Sequence, residues 1–147
     1  MIKKLIILSS ISLIMGLLFL LFKESQPYNL IGPVKVQNLK NIQYQLRQEN
    51  ELDNVLALEY TIVSGKKTVK NWTFLFGTLG DKLEATDFYA NSVDSIIYLT
   101  WGDTTNLITA FDLKSGQFFP NTEYKTKNEI IKKLKSKKPH LKGSWEK

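Results

Sequence analysis

The sequence predicts an all-β domain, an antiparallel meander or small sandwich, with an N-terminal transmembrane helix and a short C-terminal amphipathic helix. Three observations carry this prediction: an apolar run near the start, alternating apolar and polar residues through the middle, and a helix signal near the end. The expected division is a cytoplasmic start and anchor at 1–23, a linker at 24–40, the β domain at 41–124, and a basic helix and tail at 125–147.

The first element is an uncharged run of 18 residues from Leu5 to Phe22, preceded by Lys3 and Lys4. A helix of that length covers about 27 Å, close to the hydrocarbon thickness of a bilayer. A cleaved signal peptide is the alternative, but its apolar core is shorter, about 7–15 residues. Cleavage after Ser25 would also put Lys23 at a position where signal peptidase requires a small residue. The run therefore favours an uncleaved anchor.

Charges beside the anchor predict its orientation. Two lysines and the free amine precede it, whereas Lys23 after it is opposed by Glu24. The positive-inside rule then gives a single-pass protein whose C-terminal domain is extracytoplasmic. A chain rich in lysine, asparagine and isoleucine is typical of bacteria, so the expected location is the inner (cytoplasmic) membrane. Ser12 and Gly16, four residues apart, have the small-xxx-small spacing of helix dimers and allow a homodimer through the anchor.

The next elements are strands that alternate with period two. Ile42, Tyr44 and Leu46 alternate with polar residues, which predicts a half-buried strand. The stretch 55–63 is apolar on both faces and predicts a central strand. A turn at 64–67 leads to a return strand at 69–76, so 55–76 is predicted to form a hairpin.

Two segments that pair an aromatic residue with glycine predict further hairpins. Phe76-Gly77 precedes a polar turn and the Leu-led stretch 83–86, and Trp101-Gly102 precedes another turn and the Leu-led stretch 107–110. Glycine suits a reversal or bulge because positive φ costs it little. Residues 96–119 also resemble one blade hairpin of a β-propeller. A propeller needs at least four blades of about 40 residues, so this chain is too short to be one alone.

The last element is a helix. Thr126 and Glu129 have the spacing of a capping box, Ile130, Ile131 and Leu134 form a narrow apolar stripe, and Pro139 ends the pattern. So short a helix is marginal alone in water, and its stripe must pack on the sheet or on a partner.

Lysines crowd this helix and its exit. They are predicted as possible lipid or partner contacts: Lys132, Lys133, Lys135, Lys137 and Lys138. The net charge of +6 conceals a body at 24–123 of about −4 and an end from residue 124 of about +7. Three interpretations of these lysines remain: a solvated helix face, contact with anionic headgroups, or contact with an acidic partner protein.

The sequence offers little for chemistry. With no cysteine and the single histidine His140, in a tail expected to be mobile, we predict no metal site and no cofactor. Five aspartates could serve hydrolysis or calcium binding but are more typical of turns: Asp81, Asp87, Asp94, Asp103 and Asp112. Alternating aromatics such as Trp72, Phe74 and Phe76 are expected to be core.

These observations predict a non-enzymatic module that meets a protein partner at the membrane surface, as an envelope-assembly subunit or an immunity-type inhibitor would. Nucleic acid is not an expected partner of an exported domain. Two alternatives stay open. One is an enzyme or small-ligand binder with an acidic and aromatic pocket. The other is a cytoplasmic-face domain held to anionic lipid by its lysines.

Overall fold

A computed structural model of the chain describes residues 28–50, 55–79, 82–119 and 129–143. These residues form two antiparallel sheets and one helix, which confirms the all-β prediction. No helix within these ranges is long and apolar enough to cross a membrane. The predicted anchor at 5–22, its small-residue pair and the Thr126 cap lie outside the described residues.

Sheet A is a four-stranded meander in the order β1-β2-β3-β4. Its strands are β1 (Tyr28–Lys35), β2 (Ile42–Asn50), β3 (Val55–Ser64) and β4 (Lys67–Leu79). The predicted hairpin is confirmed, since β3 and β4 pair around a turn at Gly65 and Lys66.

Sheet B is a second meander, in the order β5-β6-β7-β8, with a short strand added to it. Its strands are β5 (Phe88–Val93), β6 (Ile96–Trp101), β7 (Asn106–Asp112), β8 (Phe118–Phe119) and β9 (Lys142–Gly143), which pairs with β7 in parallel. The turn after Trp101 is confirmed, with Gly102 at a φ of 74°.

The two sheets pack face to face over one core. Alternation in β2 and β3 puts Tyr44, Leu46, Leu58 and Tyr60 on the inner face of sheet A, all fully buried. They pack against a sheet B surface that includes Leu99. The sheets are also joined at one side, where Val36 bridges to Ala90.

Helix α1 (Glu129–Lys137) forms a third layer on the opposite face of sheet B. Its predicted stripe is confirmed, because Ile130 and Leu134 are buried in a second core with Tyr98 and Ala110 of sheet B. Strands β6 and β7 are therefore covered on both faces. The order of layers is sheet A, sheet B, α1.

Three local predictions are wrong. Residues 28–35 form an edge strand rather than a linker, because a bulge beside Gly32 (φ 125°) and an unpaired strand edge accommodate the Gly-Pro pair. The Phe76-Gly77 turn is absent, since β4 continues to Leu79. The stretch 83–86 is not a strand but leads into a 3₁₀ turn at Ala85–Asp87, closed by reciprocal capping between Glu84 and Asp87.

The tail after α1 is also ordered rather than mobile as far as Gly143. Leu141 is 1% exposed within the second core, and Lys142 N donates a hydrogen bond to the Thr105 carbonyl at 2.7 Å. His140 itself is exposed. Burial of one leucine thus fixes a segment whose Lys-Pro-His-Leu-Lys composition is otherwise polar.

Candidate functional site

Four of the five predicted lysines lie on α1 and Lys138 directly follows it, on the outer side of the molecule. Ile130 and Leu134 direct the opposite side of the helix into the second core, so the lysines border solvent. Three of the five are exposed and two are half-buried: Lys132, Lys133 and Lys137, then Lys135 and Lys138. We call this set the α1 lysine face.

An open groove of about 380 Å³ runs between α1 and the turn that joins β7 to β8. Six of its eight lining residues are polar or charged, and the two apolar ones are Ile96 of β6 and Ile130 of α1. The lining residues are Ile96, Asp112, Ser115, Gln117, Glu129, Ile130, Lys132 and Lys133. The groove therefore combines two carboxylates with two exposed lysines.

Asp112 holds the turn at the edge of this groove. Its carboxylate accepts hydrogen bonds from the Lys114 amide at 3.0 Å and the Ser115 hydroxyl at 3.1 Å. The Ser95 hydroxyl, the turn donors and the charge of Lys133 hold the pKa of the Asp112 carboxyl below its usual range. Asp112 is thus an ionised turn residue rather than a proton donor.

Asp94 forms an ion pair with the helix. Its Oδ2 lies 2.7 Å from Nζ of Lys137, and both side chains are about half exposed. The hydrogen bond from Lys137, followed by the nearby charges of Lys133 and Lys114, lowers the pKa of the Asp94 carboxyl. This end of the molecule carries six lysines (the α1 lysine face and Lys114) against Asp94, Asp112 and Glu129, so its field is positive.

A second candidate surface lies on the opposite side of the molecule, on the outer face of sheet A. Strand register places one residue from each strand in a transverse row: Leu30 opposite Arg47, Arg47 opposite Glu59, and Glu59 opposite Phe74. Leu30 is 75% exposed and Phe74 is 53% exposed. Apolar side chains thus flank a central pair of opposite charges.

Arg47 sits between two aromatic rings in this row. Its guanidinium carbon lies 4.3 Å from the ring centre of Tyr28 and 4.1 Å from that of Trp72. Its Nε donates to Oε2 of Glu59 at 2.6 Å. Because Trp72 belongs to β4 and Arg47 to β2, the indole must cross β3, where Thr61 is buried on this face. We call Tyr28, Leu30, Arg47, Glu59, Trp72 and Phe74 the aromatic face.

The expectation that the β4 aromatics are core is wrong for two of the three. Trp72 is 37% exposed, and Phe74 is more so. A register shift separates Phe74, opposite Glu59, from Phe76, opposite buried Leu58. This bulge at Leu75 turns Phe76 inward, where its ring lies 5.4 Å from that of Trp101, and leaves the two earlier rings outside.

Two of the other predicted aspartates, Asp103 and Asp87, serve local structure. Asp103 Oδ1 accepts hydrogen bonds from Thr105 and from the Asn106 amide, and these bonds lower the pKa of its carboxyl. Asp87 belongs to the 3₁₀ cap, and Asp81 lies outside the described residues. The described part of the chain holds no group of three or more potential metal ligands.

The sequence analysis named the residues of the α1 lysine face as possible contacts, and it did not predict the aromatic face. The signal that could have found it is the placement of Arg47 and Glu59 at outward positions of β2 and β3. Glu59 interrupts the second face of 55–63, which was predicted to be apolar. Charged residues there mark a face that a third layer does not cover. Comparisons with protein-family models, with curated proteins and with solved structures find no match to this chain.

Proposed function

We propose that this protein is a membrane-anchored, non-enzymatic binding module that presents the α1 lysine face and its groove to an acidic protein partner. The observation that carries the proposal is the position of Lys132 and Lys133, both exposed at the rim of an open groove in a positive field. A surface of this sign steers an acidic partner and selects against a basic one.

The apolar anchor at 5–22 supports a place at the bilayer, and charge asymmetry around it supports an extracytoplasmic domain in the inner membrane. Since α1 lies on the far side of sheet B from sheet A, the lysine face and the aromatic face can meet different partners at the same time.

A small-ligand or hydrolytic function is the second candidate, favoured by the two carboxylates in the groove. General acid catalysis needs a carboxyl with a raised pKa. The carboxyl shifts resolved among the described residues are all downward, at Asp94, Asp103 and Asp112. Binding therefore has the stronger support. Loss of a turnover activity in a folded Asp112→Ala protein would reverse this order.

The first test is photo-crosslinking of the full chain in its native membrane, with a benzophenone amino acid at Lys132 or, as a control, at Lys66. Both positions are exposed lysines with a lysine neighbour, but Lys66 lies in the β3–β4 turn of sheet A. We expect a discrete protein adduct at position 132 that weakens with added salt and with Lys133→Glu. Equal adducts at both positions, or none at 132, would contradict the proposal.

A C-terminal fusion tests the topology. Active alkaline phosphatase on a full-length product is expected for an exported, anchored domain, and a shortened product would indicate a cleaved signal peptide. A fluorescent fusion with inactive phosphatase would place the domain in the cytoplasm. It would favour the alternative in which the α1 lysine face binds anionic lipid.

A further inference from the structure

The aromatic face has the composition of a membrane–water interface rather than of an ordinary sheet surface. Tyrosine and tryptophan concentrate at that boundary because one part of each ring system is apolar and another is polar. Here Tyr28 and Trp72 flank Arg47, and Leu30 and Phe74 lie at the two ends of the row. All four apolar side chains come from the two edge strands, so they frame the face.

The charges at the centre of the face are paired, and Glu49, opposite Tyr28 in the strand register, adds one half-buried carboxylate beside the row. Arg47 and Glu59 neutralise each other at 2.6 Å, and the two rings cover the guanidinium from both sides. Contact with a lipid interface would therefore leave no unpaired charge at the centre of the row. The positive field of the molecule lies at α1, beyond sheet B.

The chain itself keeps this face near the bilayer. Tyr28, the first described residue, belongs to the face, and the predicted anchor ends at Phe22. Six residue steps span at most about 20 Å even when fully extended. The four strands of sheet A, spaced about 4.8 Å apart, place β4 only about 14 Å from β1. The whole aromatic face can therefore reach the headgroups while the anchor spans the bilayer.

We propose that the aromatic face rests on the headgroup region of the bilayer that holds the anchor, so that sheet A lies against the membrane. The occupant of this face is the lipid surface, and α1 points away from it. This inference rests on the anchor in the proposed function but not on the acidic partner. Since the Arg47–Glu59 pair is neutral, the contact requires no anionic lipid, unlike a contact made by the α1 lysine face.

Tryptophan fluorescence of the full chain in vesicles of neutral phosphatidylcholine tests the proposal. Two single-tryptophan proteins are compared: one keeps Trp72 (Trp101→Phe, Trp145→Phe) and the other keeps Trp101 (Trp72→Phe, Trp145→Phe). Their two reporters are matched, because Trp72 is 37% and Trp101 is 39% exposed. They differ in place, since Trp101 belongs to sheet B, whereas Trp72 lies on the outer side of sheet A.

We expect a nitroxide attached near the lipid headgroup to quench most of the Trp72 emission and little of the Trp101 emission, and bilayer contact to shift the Trp72 emission to shorter wavelength. Aqueous iodide should act in the opposite order. The result should persist in high salt, because apolar and aromatic side chains make the contact and it requires no attraction between opposite charges.

Three outcomes would overturn the inference. If Trp72 is open to iodide and insensitive to the lipid nitroxide while the protein floats with vesicles, the face is in water and only this inference fails. If Trp72 is shielded from both quenchers, another protein chain covers the face. If the protein does not float with vesicles, the anchor in the proposed function fails as well.

Discussion

Two tyrosines in the first core allow a test of how polar groups are accommodated between the sheets. The rings of Tyr44 and Tyr60 lie 5.7 Å apart on the inner face of sheet A, and both residues are fully buried. Their hydroxyl groups differ. Tyr60 Oη lies 3.2 Å from the Thr109 hydroxyl, whereas Tyr44 Oη has no hydrogen-bond partner among the described residues.

Replacing Tyr44 by Phe is expected to stabilise the fold. A buried hydroxyl without a partner costs about 1–3 kcal/mol in protein mutational data. Losing the oxygen atom forfeits a few dispersion contacts of about 0.1–0.2 kcal/mol each. The net gain in the free energy of unfolding is therefore about 1–2 kcal/mol, equivalent to a rise in Tm of about 4 °C or more for a domain of this size.

Tyr60→Phe is the matched control and is expected to act in the opposite direction. It removes one hydrogen bond, worth about 0.5–1.5 kcal/mol. It does not orphan Thr109, whose hydroxyl also bonds to the carbonyl of Phe119. Both variants delete the same atom from neighbouring rings, so a common effect of the substitution cancels in the comparison.

The assay is urea unfolding of the full chain in a mild detergent, followed by tryptophan fluorescence and analysed by linear extrapolation. The expected order of stability is Tyr44→Phe, wild type, Tyr60→Phe, with similar m-values. A Tyr44→Phe protein that is no more stable than wild type would refute the reasoning, because it would mean that the Tyr44 hydroxyl is satisfied in the folded state.

Three further predictions concern the core, the helix and the aromatic face. Burial raises the pKa of Tyr60 to about 12, partly offset by the Thr109 hydrogen bond, and burial followed by the neighbouring Tyr60 raises the pKa of Tyr44 well above 10. The contribution of these two tyrosines to stability should therefore be constant below about pH 10 and fall as the pH rises toward 12, because the unfolded chain releases phenol protons that the folded state retains. Leu134→Ala should cost about 2–5 kcal/mol, since Leu134, on the inner side of α1, is fully buried in the second core. Arg47→Lys should cost about 1–2 kcal/mol, because lysine keeps the charge but loses the planar stack on both rings.

Each of these predictions has its own measurement. The pH dependence is followed by the unfolding midpoint from pH 8 to 12. If the midpoint of Tyr44→Phe falls with pH as steeply as that of the wild type, the Tyr44 phenol does not contribute to the loss of stability. Exposed Lys132→Ala is the control for Leu134→Ala, and equal losses would argue against the second core. A double-mutant cycle of Arg47→Lys with Trp72→Ala should give non-additive losses. Additivity would show that the stack contributes nothing.

The central strands could be predicted from the sequence because alternation alone decides their faces. Tyr44, Leu46 and Leu58 follow period two without interruption, and one face of each strand must be buried. The buried stripe of α1 could be predicted in the same way, because Ile130 and Leu134 are four residues apart and so lie on one face of a helix.

Other features could not be predicted, because they depend on where strands shift or end. The bulge at Leu75 reverses the face of Phe76, and Gly77 beside it predicts a turn at a place where β4 in fact continues. Similarly, Gly32 and Pro33 indicate a turn, yet an edge strand tolerates both. Because this bulge puts Phe74 and Phe76 on opposite faces of sheet A, strict alternation along β4 could not predict the aromatic face.

The sheets have a consequence for how this protein can be divided. Each meander is one contiguous stretch, 28–79 or 88–119, in which consecutive strands are neighbours. A backbone break between Leu79 and Phe88 would interrupt no ladder, and among the described residues the strand pairing between the two halves is the single Val36–Ala90 bridge. Pairing this local favours rapid, independent assembly of each half. The molecule is therefore suited to split-protein complementation, in which two separately produced fragments recover the fold by docking their apolar inner faces.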